Sequence, residues 1–452
     1  MNHQTKFKQT EIGIIPEVWE VVELKDILED KGYIRGPFGS ALRRPELKSE
    51  GIPVYEQENA IYNNREFRYF LDNEKFLKLS RFAVEENDLI ISCSGTFGKV
   101  SIIRKEDPKG IISQALLILR PNTNKINALY LKYFFTSDQG FNSIASRSLG
   151  SVQINIAKRG IIERIELPLT HLTEQRAIAK ILSDLDAKIE LNSQINKNLE
   201  QIVQVIFKRW FIDFEFPNEN GEPYKSSGGK MMDSEMGLIP KGWKFEKLGN
   251  LLSEIITGNR PKGGVSKFKK GIPSIGAESI NGLCNFDFSK TKYIPESYFS
   301  NMIKGIVKNG DILLYKDGAN LGRKSMFLEN FPFKRCCINS HVFILRSNSL
   351  MKQSYLYFYL DQKFMTKNII NLNTNSAQPG INSTSVKTLK ILLPSDKILN
   401  LFNELVFSIL KKIFNDSKGN QCLSNLRDTL LPKLMSGEIR VPINNKNYNQ
   451  LK

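Results

Sequence analysis

Residues 167–216 read LPLTHLTEQRAIAKILSDLDAKIELNSQINKNLEQIVQVIFKRWFIDFEF, and this stretch decides the fold. From Leu172 to Phe211 it holds neither proline nor glycine, so nothing in it interrupts a helix. Thr173 and Glu174 supply start signals, and Pro217 stops the chain beyond the end. Ile178, Leu182, Leu185, Ile189, Asn192, Ile195, Leu199, Ile202 and Ile206 recur at spacings of three and four, with one three-residue slip at Asn192. That is a heptad seam, the pattern of a helix that packs along one edge. The opposite face carries Lys188, Glu190, Lys197 and Glu200. A 40-residue helix of this kind is roughly 60 Å long.

A second helical pattern starts at Asp396 and runs to about Met435. Ile398, Phe402, Leu405, Ile409 and Ile413 form one seam, and Leu423, Leu426, Leu430 and Leu434 another. The sequence SKGN at 417–420 weakens the middle, with Gly419 the expected point of bending. Each helix has one apolar stripe to bury. The nearest partner is the other helix of the same chain, because intramolecular pairing avoids the association entropy of a dimer. The competing arrangement packs each helix on its own globular part.

The chain repeats itself. IGIIPEVWEVVELKDIL from Ile12 returns as MGLIPKGWKFEKLGNLL from Met236, 224 residues later, with Pro16 and Trp19 matched by Pro240 and Trp243. GIPVYEQENA from Gly51 returns at Gly271, and NDLIISCSGTFGKVSII from Asn87 as GDILLYKDGANLGRKSMF from Gly310. SQALLILRPN from Ser113 and QINIAKRGIIERIELPL from Gln153 also have counterparts, in the same order. Five ordered matches at near-constant offset mean a duplication. A duplicated chain suits a partner with two related half-sites.

In each half a globular part precedes its helix. Runs such as DLIIS, VSII and ALLILRP are short, apolar and bounded by turn residues, and predict buried strands. ALYLKYFFTSDQGFNSI and QSYLYFYLDQKFMTKNI predict aromatic amphipathic helices. The expected division is a globular domain over 1–171, a helix over 172–216, a polar acidic linker over 217–235, a second globular domain over 236–395, a second helix over 396–436 and a tail over 437–452, with 444–452 expected to be disordered.

Composition narrows the function. The chain has 452 residues, 64 Lys and Arg against 47 Asp and Glu, a net charge of +17. Residues 236–395 alone carry 23 basic and nine acidic side chains, whereas 1–171 carry 24 and 22. An excess so concentrated points to a polyanion, with nucleic acid the first to test. No run is long and apolar enough to span a bilayer and no signal-peptide core opens the chain, so a cytoplasmic protein is expected. The five cysteines show no C-x-x-C spacing, which argues against a disulfide framework or a zinc site.

Catalytic motifs are missing. There is no phosphate-binding G-x-x-x-x-G-K-[ST], no G-x-G-x-x-G and no G-x-S-x-G. His3, His171 and His341 are too few and too scattered for a metal centre. No proline precedes aspartate, as nuclease metal motifs require, and there is no Pro-Pro pair of the kind adenine methyltransferases use. Asp88 and Asp311 stand at equivalent repeat positions and read as turn formers. A binding role without catalysis, cofactor or metal is favoured.

Candidate DNA-reading residues fall in matched loops. The loop after the first long strand of each half offers Ser94, Thr96 and Lys99, or Lys316, Asn320, Arg323 and Lys324, beside glycines that permit close backbone approach. A second loop offers Arg147, Gln153, Asn155, Lys158 and Arg159, or Asn373, Asn375 and Gln378; Asn and Gln suit adenine and Arg suits guanine. Arg35, Arg43 and Arg44 form a further basic cluster. Arg260, Lys262, Lys267, Lys269 and Lys270 form a glycine-rich loop suited to phosphates. The competing reading is glycine hairpins and surface loops whose polar side chains only cap turns.

The sequence resembles the specificity (S) subunits of type I restriction–modification systems. The likeness rests on 167–216, which resembles their central conserved region, on LRDTLLPKLMSGEIRV at 426–441, which resembles the end of their C-terminal conserved region, and on the G-x-I-P-x-x-W opening of each half at Gly13–Trp19 and Gly237–Trp243. It covers the whole chain. The resemblance implies an α+β (mixed) fold of two pseudo-symmetric target-recognition domains, separated by two long helices packed as an antiparallel coiled coil that sets the unread gap of a bipartite DNA site. It implies two modification subunits that methylate adenine with S-adenosylmethionine and two restriction subunits using ATP and Mg, with neither activity in this chain. The alternatives are a stand-alone DNA methyltransferase or nuclease with an unrecognised site, and a DNA-binding scaffold without sequence preference.

Overall fold

The structure is a computed structural model; residues 6–147, 155–235, 237–373 and 379–441 are described. The chain forms two compact units, one of residues 1–188 with 423–452, the other of 189–422.

In the first unit a four-stranded antiparallel sheet has the order Leu28–Arg35, Leu116–Pro121, Leu89–Ser92, Val100–Ile102. Side chains alternate across a strand, and here both faces are buried. Leu89, Ile91, Leu117 and Leu119 join one core with Tyr130, Phe134 and Leu182; Ile90, Leu116 and Ile118 join another with Ile34, Tyr55 and Ile112. Strands buried on both faces read as continuous apolar runs, which is why LIIS and LLILRP carry almost no polar residue. The strand Ile52–Tyr55 pairs antiparallel with Phe70–Leu71 and parallel with Ile111–Ile112.

The second unit repeats the plan. Its four-stranded sheet has the order Leu252–Thr257, Val342–Ser347, Ile312–Tyr315, Lys324–Met326. Ile312, Leu314, Phe343 and Leu345 line one core, and Leu313, Val342 and Ile344 the other. Ile272–Ile275 pairs antiparallel with Lys292–Ile294 and parallel with Cys337–Ile338.

Asp88 and Asp311 form their turns and do more. Asp88 accepts from the backbone N–H of Glu85 at 2.7 Å, and Asp311 from that of Lys308 at 2.7 Å. Each also receives a forked guanidinium: Arg120 donates to Asp88 at 2.8 and 2.9 Å, and Arg346 to Asp311 at 2.6 and 2.9 Å. The same arginines donate to the carbonyls of Ala83 and Ile306. One clasp therefore ties three separate chain segments together in each unit.

The G-x-I-P-x-x-W segments make the same turn twice. Trp19 N–H donates to the Pro16 carbonyl at 3.0 Å, and Trp243 N–H to that of Pro240 at 3.1 Å. Both indoles are buried. Trp19 Nε1 donates to Glu174, which also takes Arg440 Nε at 2.8 Å. Gly437 lies against this turn with φ of +72°; a Cβ there would stand 2.5 Å from Pro16 Cγ, so only glycine fits. In the second unit Trp243 stacks on Phe216 at 4.9 Å, and Phe216 on Tyr224 at 4.5 Å. From Pro217 to Lys230 the chain runs through hydrogen-bonded turns, with Ser226 N–H on the Glu215 carboxylate, and Met231–Met232 then pairs antiparallel with Ile239–Pro240.

The two long helices, Leu172–Phe211 and Asp396–Met435, are each 40 residues and unbroken, including through Gly419. The SKGN segment does not break the helix, and Gly419 has open space where a Cβ would be. In the first unit Ile178 and Leu182, near the start of one helix, share a core with Leu431, Leu434 and Met435, at the end of the other. In the second unit Val203, Phe207 and Phe211 pack with Phe402, Val406, Leu410 and Ile413. The pairing is therefore antiparallel.

The seam differs from its expected course. The slip at Asn192 does not occur: burial continues through Asn192, Asn196, Leu199 and Val203, at unbroken heptad spacing, while Ile202 is 47% exposed. On the second helix Val406 takes the inward place given to Leu405, which is 43% exposed, and Leu426 is 46% exposed. Leu185, Ile189, Ile409 and Leu430 are half-buried at the seam margin. Polar residues stand inside the seam: Asn196 Nδ2 donates to the Ile413 carbonyl and to Ser417 Oγ, both at 3.2 Å. A search for the most apolar stripe skips such positions.

Candidate nucleic-acid interface

The first candidate loop follows Leu89–Ser92 and returns to Val100–Ile102. Ser92 Oγ donates to the Thr96 carbonyl at 2.7 Å and accepts from Lys99 N–H at 2.9 Å, which fixes the loop from within. Gly95 and Gly98 have φ of +64° and +73°. Thr96 and Lys99 are exposed.

The second candidate loop comes to the first. Ser94 and Asn155 form an antiparallel bridge, and Ile156 N–H donates to the Cys93 carbonyl at 3.0 Å. Helix Gln57–Tyr62 adds a neighbour, because Gln57 Nε2 donates to Ser94 Oγ at 3.0 Å. Asn155 and Lys158 are exposed. Arg35 lies over the ring of Phe38 at 5.7 Å, and its Nη1 is buried without a hydrogen-bond partner. Burial pushes the Cys93 thiol up to about 12 against the opposing charge of Arg35, so that thiol is inert. Arg43 and Arg44 are exposed on a separate turn. Arg147, just past the helix Asp138–Ala145, donates from Nη1 to the carbonyl of Ser143 in its last turn. Arg159 pairs with Glu163 at 2.7 Å. Gln153 lies outside the described residues.

The second unit has the same junction. Asp317 bridges Gly380, Gly318 N–H donates to the Pro379 carbonyl at 2.7 Å, and Ile381 N–H to that of Lys316 at 2.9 Å. Asn373 Oδ1 accepts from Gly380 N–H at 2.8 Å, which braces the incoming loop. Asn375 and Gln378 lie outside the described residues. Lys316 Nζ pairs with Asp317 at 2.6 Å and lies over Phe343. His341 Nδ1 is 3.1 Å from the same carboxylate. His341 and Asp317 were not among the expected residues; alignment of Ser94 with Asp317 was the available signal. Asn320 and Arg323 are exposed at the loop tip, beside a cleft of about 370 Å³. Lys267 and Lys269 are exposed in the basic loop.

Lys324 corrects an expectation. It is 4% exposed, and its Nζ lies 3.3 Å from Asp361 and 2.9 Å from Thr366 Oγ1. Desolvation lowers its pKa, and the Asp361 charge opposes that. The strand alternation explains its position: Lys324 and Met326 point inward together, as the residues of that hairpin strand must. Its ammonium is consumed inside the protein and is not offered to a phosphate.

Among the described residues no group of three or more His, Cys, Asp or Glu could hold a metal ion, and no helix is long and apolar enough to cross a membrane.

Two equivalent loop junctions, each on an α+β unit that contributes to an antiparallel helix pair, define a duplicated recognition protein. The model of the type I restriction modification DNA specificity domain matches residues 16–201 and again 240–423, and the chain belongs to that family. It is 28% identical over 447 residues to the type I restriction enzyme MjaIX specificity subunit of Methanocaldococcus jannaschii, covering 97% of each chain. The HindI specificity subunit of Haemophilus influenzae is 24% identical, covering 88% of this chain and 96% of the relative. The crystal structure of the type I restriction–modification S subunit from M. genitalium superposes with a TM-score of 0.58 at 16% identity, over 95% of this chain and 98% of that one, a likeness of fold. The chain is a specificity subunit, the non-catalytic DNA-recognition component of such systems.

Proposed function

We propose that this chain reads a bipartite DNA target and directs partner subunits to methylate adenine or cleave the DNA. The target-recognition domains are 1–171 and 236–395, each reading one half-site. The paired helices 172–216 and 396–436 set the unread gap between the halves. Two modification subunits carry S-adenosylmethionine, and two restriction subunits carry ATP and Mg; the assembly works in the cytoplasm.

The observation that supports this reading is the recurrence of one loop junction in both units, Ser94 with Asn155 and Asp317 with Gly380. Each junction places exposed donors, Lys99 and Asn155 or Asn320 and Arg323, around loops held by backbone bonds. Rigid placement of a few donors is what discrimination between base pairs requires. The two sets differ in chemistry, so two different half-sites follow.

The test is single-molecule methylome sequencing of cells expressing this chain with its modification subunit. A split motif with N6-methyladenine on opposite strands supports the proposal. Absence of methylation, with the partner active beside another specificity subunit, overturns it. Insertion of one helical turn near Asn192 should change the gap; an unchanged gap removes the spacer role.

A further inference from the structure

Gln57 opens the helix Gln57–Tyr62 and is half-buried. Among the described residues its amide supplies the one side-chain hydrogen bond from that helix to the first recognition loop, with Nε2 donating to Ser94 Oγ at 3.0 Å. The internal repeat shows that the fold does not require this. The strand Ile52–Tyr55 corresponds to Ile272–Ile275, which puts Ala277 at the place of Gln57. Ala277 is 3% exposed and joins the core of its unit. The loop position of Ser94 corresponds to Asp317, bound there by Lys316 and His341. One scaffold thus carries an amide and hydroxyl in the first unit, and a carboxylate, ammonium and imidazole in the second.

A primary amide has two N–H donors and a carbonyl acceptor. Ser94 engages one N–H of Gln57. Among the described residues neither the second N–H nor Oε1 has a hydrogen-bond partner, and with Ser94 on the N–H anti to Oε1 the other N–H and Oε1 share one edge of the amide. That pair is the complement of adenine, whose N7 accepts and whose N6 amino group donates in the major groove. A hydroxyl that fixes the amide's rotation also fixes which end donates. The bridge from Ser94 to Asn155 ties this hydroxyl to the second recognition loop.

We propose that Gln57 reads an adenine in the half-site of the first recognition domain, with Ser94 as the residue that positions its amide. This rests on the DNA-reading function proposed above. It assigns a base type to one residue and makes the equivalent place in the second domain, Ala277, silent.

The test is enrichment of bound duplexes from a library with randomised segments, using the full chain with its modification subunit. The native complex should select a bipartite motif with an A·T pair at one place that Gln57→Ala renders degenerate. Discrimination there should fall about 5- to 150-fold, the loss of one bidentate contact. Gln57→Glu, an acceptor only, should turn the preference toward C·G at the same place. Ser94→Ala should weaken discrimination there and nowhere else. The second half-site should be unchanged throughout, an internal control for folding. An unaltered motif in Gln57→Ala overturns the assignment while leaving the function standing. Loss of the whole first half-site in both Gln57 variants also overturns it, since Gln57 would then support the domain. Failure of the native complex to select any motif overturns the function itself, and the assignment with it.

Discussion

Asn192 and Asn420 meet side chain to side chain inside the helix seam, Nδ2 of the first donating to Oδ1 of the second at 2.8 Å. Asn192 is 4% exposed and its own Oδ1 has no partner, whereas Asn420 also reaches the Ile189 carbonyl at 3.3 Å and Ser193 Oγ at 3.2 Å. A polar pair in an apolar seam fixes register at some cost in stability. Asn192→Ala alone should destabilise by about 1–3 kcal/mol, because it strands part of Asn420. Replacing both by Leu should raise the unfolding midpoint above that of Asn192→Ala. A double variant that melts below the single one would refute a register role offset by lost stability.

The Arg120–Asp88 and Arg346–Asp311 clasps should be the most sensitive polar positions of their units. Asp88 is fully buried and Asp311 2% exposed, so removing the guanidinium leaves an unpaired interior carboxylate. Arg120→Ala or Arg346→Ala should each cost about 3–5 kcal/mol in denaturant unfolding. A change below about 1 kcal/mol would mean that solvent replaces the arginine.

Arg323 and Lys324 are adjacent in sequence and opposite in exposure. Arg323→Ala should lower the salt slope of DNA binding by about 0.9, the release expected of one phosphate contact. Lys324→Met should leave the slope unchanged. The comparison needs binding constants over a range of salt concentrations. A slope change for Lys324→Met alone would place that ammonium at the DNA after all.

Glu200 provides a pH signature. Desolvation, with the nearby Asp361 charge, pushes its carboxyl up to about 7 from the ordinary 4.5. The folded state then holds a proton that the unfolded state releases. The corresponding stability is full below about pH 4.5 and is lost as pH rises through about 7. Glu200→Gln should therefore match the native protein near pH 5 and exceed it at pH 8. Partial exposure screens the effect, so about 1–2 kcal/mol is expected. Equal Tm differences at the two pH values would contradict this.

The sequence by itself determined the duplication, the strand runs and the two long helices, because these are periodic and local. Short apolar runs such as LIIS and LLILRP, bounded by turn residues, read as buried strands, and a 40-residue stretch with heptad spacing and neither glycine nor proline reads as helix. Sequence also placed the two loop pairs that meet in space, since both halves carried them in register. Tertiary structure alone decided which side chains face inward at the margins. Val406 instead of Leu405, and Val203 instead of Ile202, take the seam in the register where Asn192 bonds Asn420 and Asn196 bonds Ser417 across it. Such pairing joins residues more than 200 positions apart and leaves no local periodic signal. The same holds for Lys324, whose basic character suggested DNA until the facing Asp361 and Thr366 gave it an internal partner. Burial and hydrogen-bond satisfaction are properties of the assembled fold, and they overrule the chemistry of a residue read alone.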